Sequence, residues 1–187
     1  MAQLSTNRIV DFDLSTGLSV FAGIAIKKTA NAGRKVLFQF RRSDVPLEVT
    51  IGMDEHYGLR IWLIDASGKS HVSDPLAKEC FFERVVLLNA EIRPLADGGT
   101  ALCLRTSRKD QIETVVNADL GAIGPARFSM GATLENAEPA AFELAEFIMY
   151  ERPLDSADLE QTRKYFEHEF KISSTNPKFY RDQKQLS

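Results

Sequence analysis

The chain is poor in the residues that build metal centres and disulfide frameworks. Its 187 residues include two Cys and three His. Cys80, Cys103, His56, His71 and His168 are scattered without paired spacing, so neither a zinc site nor a disulfide scaffold is expected. Two lone thiols are expected to be free and reduced. Positive charge is not in excess: 23 Lys+Arg stand against 26 Asp+Glu, a net charge of −3. That argues against a nucleic-acid binder with a broad basic surface. Long apolar runs are missing as well. The longest, Val20–Ile26, has seven residues, whereas a membrane helix needs about 20, so no membrane insertion is expected. The opening residues, Met1 to Arg8, show no basic segment followed by an apolar one. No Asn is followed at the second position by Ser or Thr, which removes N-glycosylation acceptors. The default expectation is a cytoplasmic protein, or an extracellular one if the chain belongs to a larger or non-classically secreted protein.

What is present is a succession of short apolar runs separated by turn residues. The chain is 44% apolar and 26% charged, ordinary for a globular domain large enough to bury a full core. Runs rich in Val, Ile and Phe fall at Ile9–Leu14, Leu18–Lys27, Val36–Arg41, Leu47–Ile51, Leu59–Ile64 and Phe82–Leu88. Others follow at Ala101–Arg105, Gln111–Val116, Arg127–Thr133 and Phe142–Tyr150. They make about ten strand candidates. Asp65-Ala-Ser-Gly68 and Asp97-Gly-Gly99 read as hairpin turns. Pro46, Pro75, Pro94, Pro125 and Pro139 all fall between strand candidates, where a missing amide breaks no ladder. Strands without intervening helices predict an all-β fold, a two-sheet antiparallel β-sandwich of the jelly-roll kind.

One helix is predicted, over residues 156–170. Asp155 is its N-cap, with Asp158 at the third helical position as in a capping box. Leu154 and Leu159 form a hydrophobic staple, and Leu159, Phe166 and Phe170 give one apolar stripe. The helix should clamp onto the sandwich. Residues 1–172 are expected to form one domain, and 173–187 a polar C-terminal tail in which Phe179-Tyr180 offers an anchor.

The segment Phe142–Phe170 carries a resemblance. Leu144-Ala145-Glu146 and Tyr150, then Glu151-Arg152-Pro153-Leu154-Asp155, then Tyr165-Phe166 and Phe170 resemble the closing strand, turn and helix of concanavalin A-like lectin/glucanase domains of the bacterial laminin-G-like group. Phe128-Ser-Met-Gly-Ala132 is similar to the strand before that unit. The resemblance implies a jelly roll of two antiparallel sheets. It does not fix a function, because sugar-binding modules, adhesion domains and glycan hydrolases share this fold.

Retaining glucanases of that family carry Glu-x-Asp-x-x-Glu on one strand, and this chain has no such motif. Glu143 and Glu146, three apart on a regular strand, would face opposite ways. A role as an enzyme is therefore not expected. Trp62, the single Trp, shares a strand face with Arg60 and Ile64. On a concave sheet, an indole beside a guanidinium suits a sugar, whose C–H bonds stack on the ring while its hydroxyls accept from the Arg. Burial in or against the sandwich is the commoner use of an aromatic side chain. Tyr57, in the loop Asp54-Glu-His56-Tyr57, is an exposed-loop candidate. Calcium, frequent in the family, would need six to eight oxygens. Asp54, Glu55, Asp65, Asp74, Asp97, Asn117 and Asp119 sit in separate loops, so no cofactor is expected and calcium is not favoured. Cys103 reads as a small apolar packing residue, and Glu146 as a structural acceptor for neighbouring backbone.

The function expected is non-catalytic recognition of carbohydrate through the concave face and adjoining loops, at Tyr57, Arg60, Trp62, Asp54 and His56. The alternatives are a protein–protein interaction domain of a larger assembly, compatible with an oligomer, and, less favoured, a divergent glycan hydrolase.

Overall fold

Strict alternation along Leu59–Ile64 shows how the strands are built. Leu59, Ile61 and Leu63 are buried, while Arg60, Trp62 and Ile64 are half-exposed. Apolar side chains at every second position can then fill one shared core. A computed structural model describes residues 4–5, 10–27, 33–76, 85–106, 111–135 and 137–172. The expected tail 173–187, Cys80 and the first part of the Phe82–Leu88 run lie outside the described residues.

The strands are β1 (Leu4–Ser5), β2 (Val10–Phe12), β3 (Leu18–Ile26), β4 (Lys35–Arg42), β5 (Glu48–Met53), β6 (Leu59–Ile64) and β7 (Ser70–Val72). They continue as β8 (Val86–Pro94), β9 (Thr100–Thr106), β10 (Gln111–Val116), β11 (Gly124–Met130) and β12 (Phe142–Tyr150), and the chain closes on α1 (Ser156–Phe170). One sheet has seven strands in the order β1-β11-β4-β5-β6-β7, with β2 also paired to β11. The other has five, β10-β9-β8-β3-β12. All the strand pairings are antiparallel. The inner faces meet in one apolar core that includes Leu18, Val20, Ile24, Phe38, Ile51, Ile61, Leu88 and Leu104. Phe38 of β4 and Phe128 of β11 meet Phe147 of β12 across it, at 4.9 and 5.2 Å between ring centroids.

The expected β-sandwich with one closing helix is the observed architecture. Three boundaries differ. The run expected at Phe82–Leu88 is displaced: β8 occupies Val86–Pro94. Its second half alternates Ala90 and Ile92 inward with Asn89, Glu91 and Arg93 outward, and those polar residues masked the strand. β7 was missed because Ser70-His71-Val72 is short and polar. Pro125 lies within β11 and Pro94 closes β8, not between strands. Pro125 pairs with Asp11, and the β4 ladder begins only at Ala126, so the missing amide costs that ladder nothing.

α1 packs on the outer face of the five-stranded sheet. Phe166 is fully buried there, its ring stacked on Phe21 of β3 at 6.4 Å, with Leu87, Leu154 and Ile172 around it. β3 is thus buried on both faces, which explains its continuous apolar run. The Asp155 carboxylate caps the helix, accepting from the Ala157 and Asp158 amides at 2.9 and 2.8 Å. Asp158 does not reach back to close a capping box; it pairs with Arg152 at 2.7 Å. No helix among the described residues is long and apolar enough to cross a membrane.

Candidate functional site

The β5–β6 turn is organised by Asp54. Its Oδ1 accepts from the His56 and Gly58 amides at 2.9 and 2.8 Å, and its Oδ2 takes the Arg60 Nε at 2.7 Å. Tyr57 stands in the left-handed region at φ 63° and donates its amide to the Asp54 carbonyl. Burial pushes the Asp54 carboxyl pKa up. The Arg60 guanidinium and the two amides outweigh that and hold it below the usual carboxylate range. Arg60 also donates Nη1 to the Ser73 carbonyl at 2.7 Å. Asp54 and Arg60 are therefore a structural clamp that ties the turn to Ser73, immediately past β7.

Trp62 stands two residues further on, half-exposed on the outer face. It faces Thr50 on one side and Val72 on the other. The Arg34 guanidinium lies 5.1 Å from the indole centroid, with its Nε donating to Glu138 at 2.6 Å. The indole is neither part of the sandwich core nor a bare platform. Gly52 makes this arrangement possible. It pairs with Arg60, and a Cβ there would run into the Lys35 carbonyl oxygen. Only glycine lets the start of β4 cross so close over β5, and Arg34 immediately precedes it.

One cross-strand row on this outer face reads Ser129, Gln39, Thr50, Trp62, Val72. Residues 131–135 run along its first half. The Leu134 amide donates to Gln39 Oε1 at 2.7 Å, and Glu135 pairs with Arg41. Gln39 and Thr50 are consequently buried. The face is open at Trp62 and at Val72, which is 46% exposed. Of the residues expected from sequence, Trp62 therefore stands at the open β6–β7 end of this face. Tyr57 is corrected: it is half-buried and packed against the core instead of standing out from the loop. His56 is exposed at the turn tip, 3.8 Å from Glu55. Arg34 and Glu138 were missed, since only the bulged β4 brings residues so distant in sequence to the indole.

Two other readings change. A β-bulge between Leu144 and Glu146 shifts the register, setting Glu143 against Ala25 and Glu146 against Gly23. Both carboxylates therefore share the outer face, because a bulge adds the residue that a regular strand lacks. Glu143 pairs with Lys27 at 2.7 Å, and Glu146 accepts the Tyr165 hydroxyl at 2.7 Å, a side-chain partner and not backbone. Cys103 is buried, but on the outer face of the five-stranded sheet, where its thiol donates to Glu113 at 3.4 Å. Burial pushes that thiol up to about 12.

Three of the loop carboxylates are engaged by neighbouring protein groups. Asp65 accepts from the Ser67, Lys69 and Asp119 amides, the Ser67 hydroxyl and the His71 ring. Asp74 takes Thr114, and Asp97 caps the Gly99 amide. Among the described residues no three His, Cys, Asp or Glu side chains gather closely enough to share a metal.

The two antiparallel sheets and the closing helix make a jelly-roll β-sandwich. Particular solved structures share it. A heptameric SAP-like pentraxin from Limulus polyphemus matches with a TM-score of 0.62 at 12% identity, over 86% of this chain and 75% of that one. A sialidase carbohydrate-binding module (CBM40) from Ruminococcus gnavus, bound to α2,6-sialyllactose, matches at 0.54 and 10% identity, over 86% and 96%. The receptor-binding domain of a C/D mosaic botulinum neurotoxin matches at 0.57 and 9% identity, over 81% and 37%. At such identities the likeness is one of fold. No protein-family model and no curated protein matches the sequence.

Proposed function

We propose that the chain is a non-catalytic recognition module of the concanavalin A-like, laminin-G-like type, binding carbohydrate at the Trp62 end of the seven-stranded sheet. The observation that carries this reading is the half-exposed indole under a guanidinium at 5.1 Å. An exposed cation–π pair is worth about 0.5–1 kcal/mol. A sugar ring that stacks on the indole can displace Arg34 at that modest cost, and the displaced guanidinium then donates to the ligand's oxygens. Asp54 and Arg60 hold the rim in place, with His56 and Tyr57 beside it. No cofactor is required. The outer-face carboxylates are committed to partners, Glu143 to Lys27, Glu146 to Tyr165 and Glu91 to Arg105, so none is left as an acid–base pair.

The neighbouring module holds sialyllactose, and cell entry by a related type C neurotoxin depends on two ganglioside molecules. Sialylated oligosaccharides, whose carboxylate suits Arg34, are accordingly the first ligands to test beside neutral ones. A glycan array followed by titration calorimetry is expected to show binding that Trp62→Ala weakens on the order of tenfold or more. Failure of every glycan to bind, or binding untouched by Trp62→Ala, overturns the reading.

A second reading rests on Val72, which extends the indole into a small apolar patch. Such a patch suits a protein partner or a second copy of the chain. Light scattering on the wild type and on Val72→Glu separates the two: a dimer that the substitution dissolves favours the protein surface.

A further inference from the structure

α1 lies over β3 and covers Leu87 of β8, and the outer edge of the sheet toward β9 and β10 continues beside it. Between helix and strands is a cavity of about 570 Å³, within the 300–1,000 Å³ typical of small-molecule sites. Half-buried Leu159 supplies the apolar wall, and the buried Phe21 and Leu87 reach it only at their edges. Asn89, Arg105 and Gln111 form one cross-strand row along the floor, and Ser156, Glu160 and Arg163 come from the helix.

The charges of this cavity are already spent on one another. Arg105 Nη1 donates to Glu91 at 3.1 Å and to Asn89 at 3.0 Å. Glu91 is buried beneath the floor with no exposed side-chain surface. Arg163 is held between Glu160, at 2.7 and 2.9 Å, and Glu167. The Gln111 carboxamide and the Ser156 hydroxyl, each both donor and acceptor, are not engaged by any described residue.

We propose that this cavity is a binding site for a small neutral molecule with hydroxyl or carboxamide groups on one edge and hydrocarbon on the other. An anion or a cation entering it would have to break an existing ion pair and leave a half-buried charge uncompensated. A neutral polar edge takes Gln111 and Ser156 without that cost, and the hydrocarbon lies along Leu159. The site is on the opposite sheet from Trp62 and does not depend on the function of that face.

The test is a heteronuclear NMR titration of the full chain with three probes of equal length: hexanamide, hexanoate and hexylamine. Hexanamide is expected to give saturable shifts at the Asn89, Arg105, Gln111 and Leu159 amides, with the two charged probes about tenfold weaker. Gln111→Trp, at an exposed position of β10, fills the mouth and abolishes the titration, and Leu159→Phe does so from the helix side. Gln111→Leu weakens it about fivefold, the equivalent of one hydrogen bond. Trp62→Ala leaves it unchanged. Absence of saturable shifts with hexanamide, equal binding of hexanoate, or a titration indifferent to both cavity-filling variants overturns the proposal.

Discussion

Asp65, 2% exposed, accepts five hydrogen bonds, the shortest from the Ser67 hydroxyl at 2.6 Å. Burial opposes its ionisation, but the Ser67 hydroxyl, the His71 ring and the Lys69 and Asp119 amides prevail and hold it far below the usual carboxylate range. A carboxyl whose folded pKa is depressed stabilises the fold above its unfolded value, and that stability is lost as pH falls toward the folded one. Urea midpoints are thus expected to drop steadily below about pH 4. Asp65→Asn should cost about 2–3 kcal/mol at pH 7 and flatten that acid slope. Cys103, its thiol pushed up to about 12, should resist iodoacetamide at pH 8 in the native protein and react in urea, as read by peptide mass spectrometry at that residue. The sequence marked Asp65 as a turn residue and Cys103 as buried. It was silent on Glu113 as the thiol's partner, because strand pairing alone brings the two together.

At the scale of the element, local signals were legible where neighbours in sequence make the contact. The α1 boundaries, its Asp155 cap and the Leu154–Leu159 staple are all short-range, and Asp155→Ala should lower stability by about 1 kcal/mol in chemical denaturation. The β4–β5 pair was not legible in the same way. Gly52 looks like an interruption of a strand, yet it admits the Lys35 carbonyl and so sets Arg34 over Trp62. Gly52→Ala should destabilise by about 1–3 kcal/mol and shift the Trp62 emission as Arg34 is displaced. The bulge at Ala145 was invisible for a similar reason: period-two reading assumes a regular strand, and one inserted residue reverses the faces of everything before it.

The described residues form two apolar clusters of unequal size. The inner faces of both sheets share the larger, and α1 sits on the smaller, outside the five-stranded sheet. The helix is therefore expected to open before the sandwich does, since local openings follow the weakest set of contacts. Hydrogen exchange should be faster in α1 than in β3 and β8. Phe166→Ala should accelerate exchange across α1 on the order of a hundredfold to a thousandfold or more, as its buried ring is worth about 3–5 kcal/mol, while β5 and β6 change little. Uniform acceleration throughout would show that helix and sandwich unfold as one unit.

The sequence by itself determined the fold class, most strand positions and the closing helix, because alternation, turn residues and caps act between near neighbours in the chain. It also placed Trp62 on the strand face opposite Leu59, Ile61 and Leu63, and left open whether the indole is exposed or packed against the sandwich. Tertiary structure alone decided what surrounds that indole. Arg34 above it, Thr50 and Val72 on either side, and Gln39 beneath Leu134 are distant in sequence. Only sheet order and register bring them together, and those are set by how the whole chain closes its core.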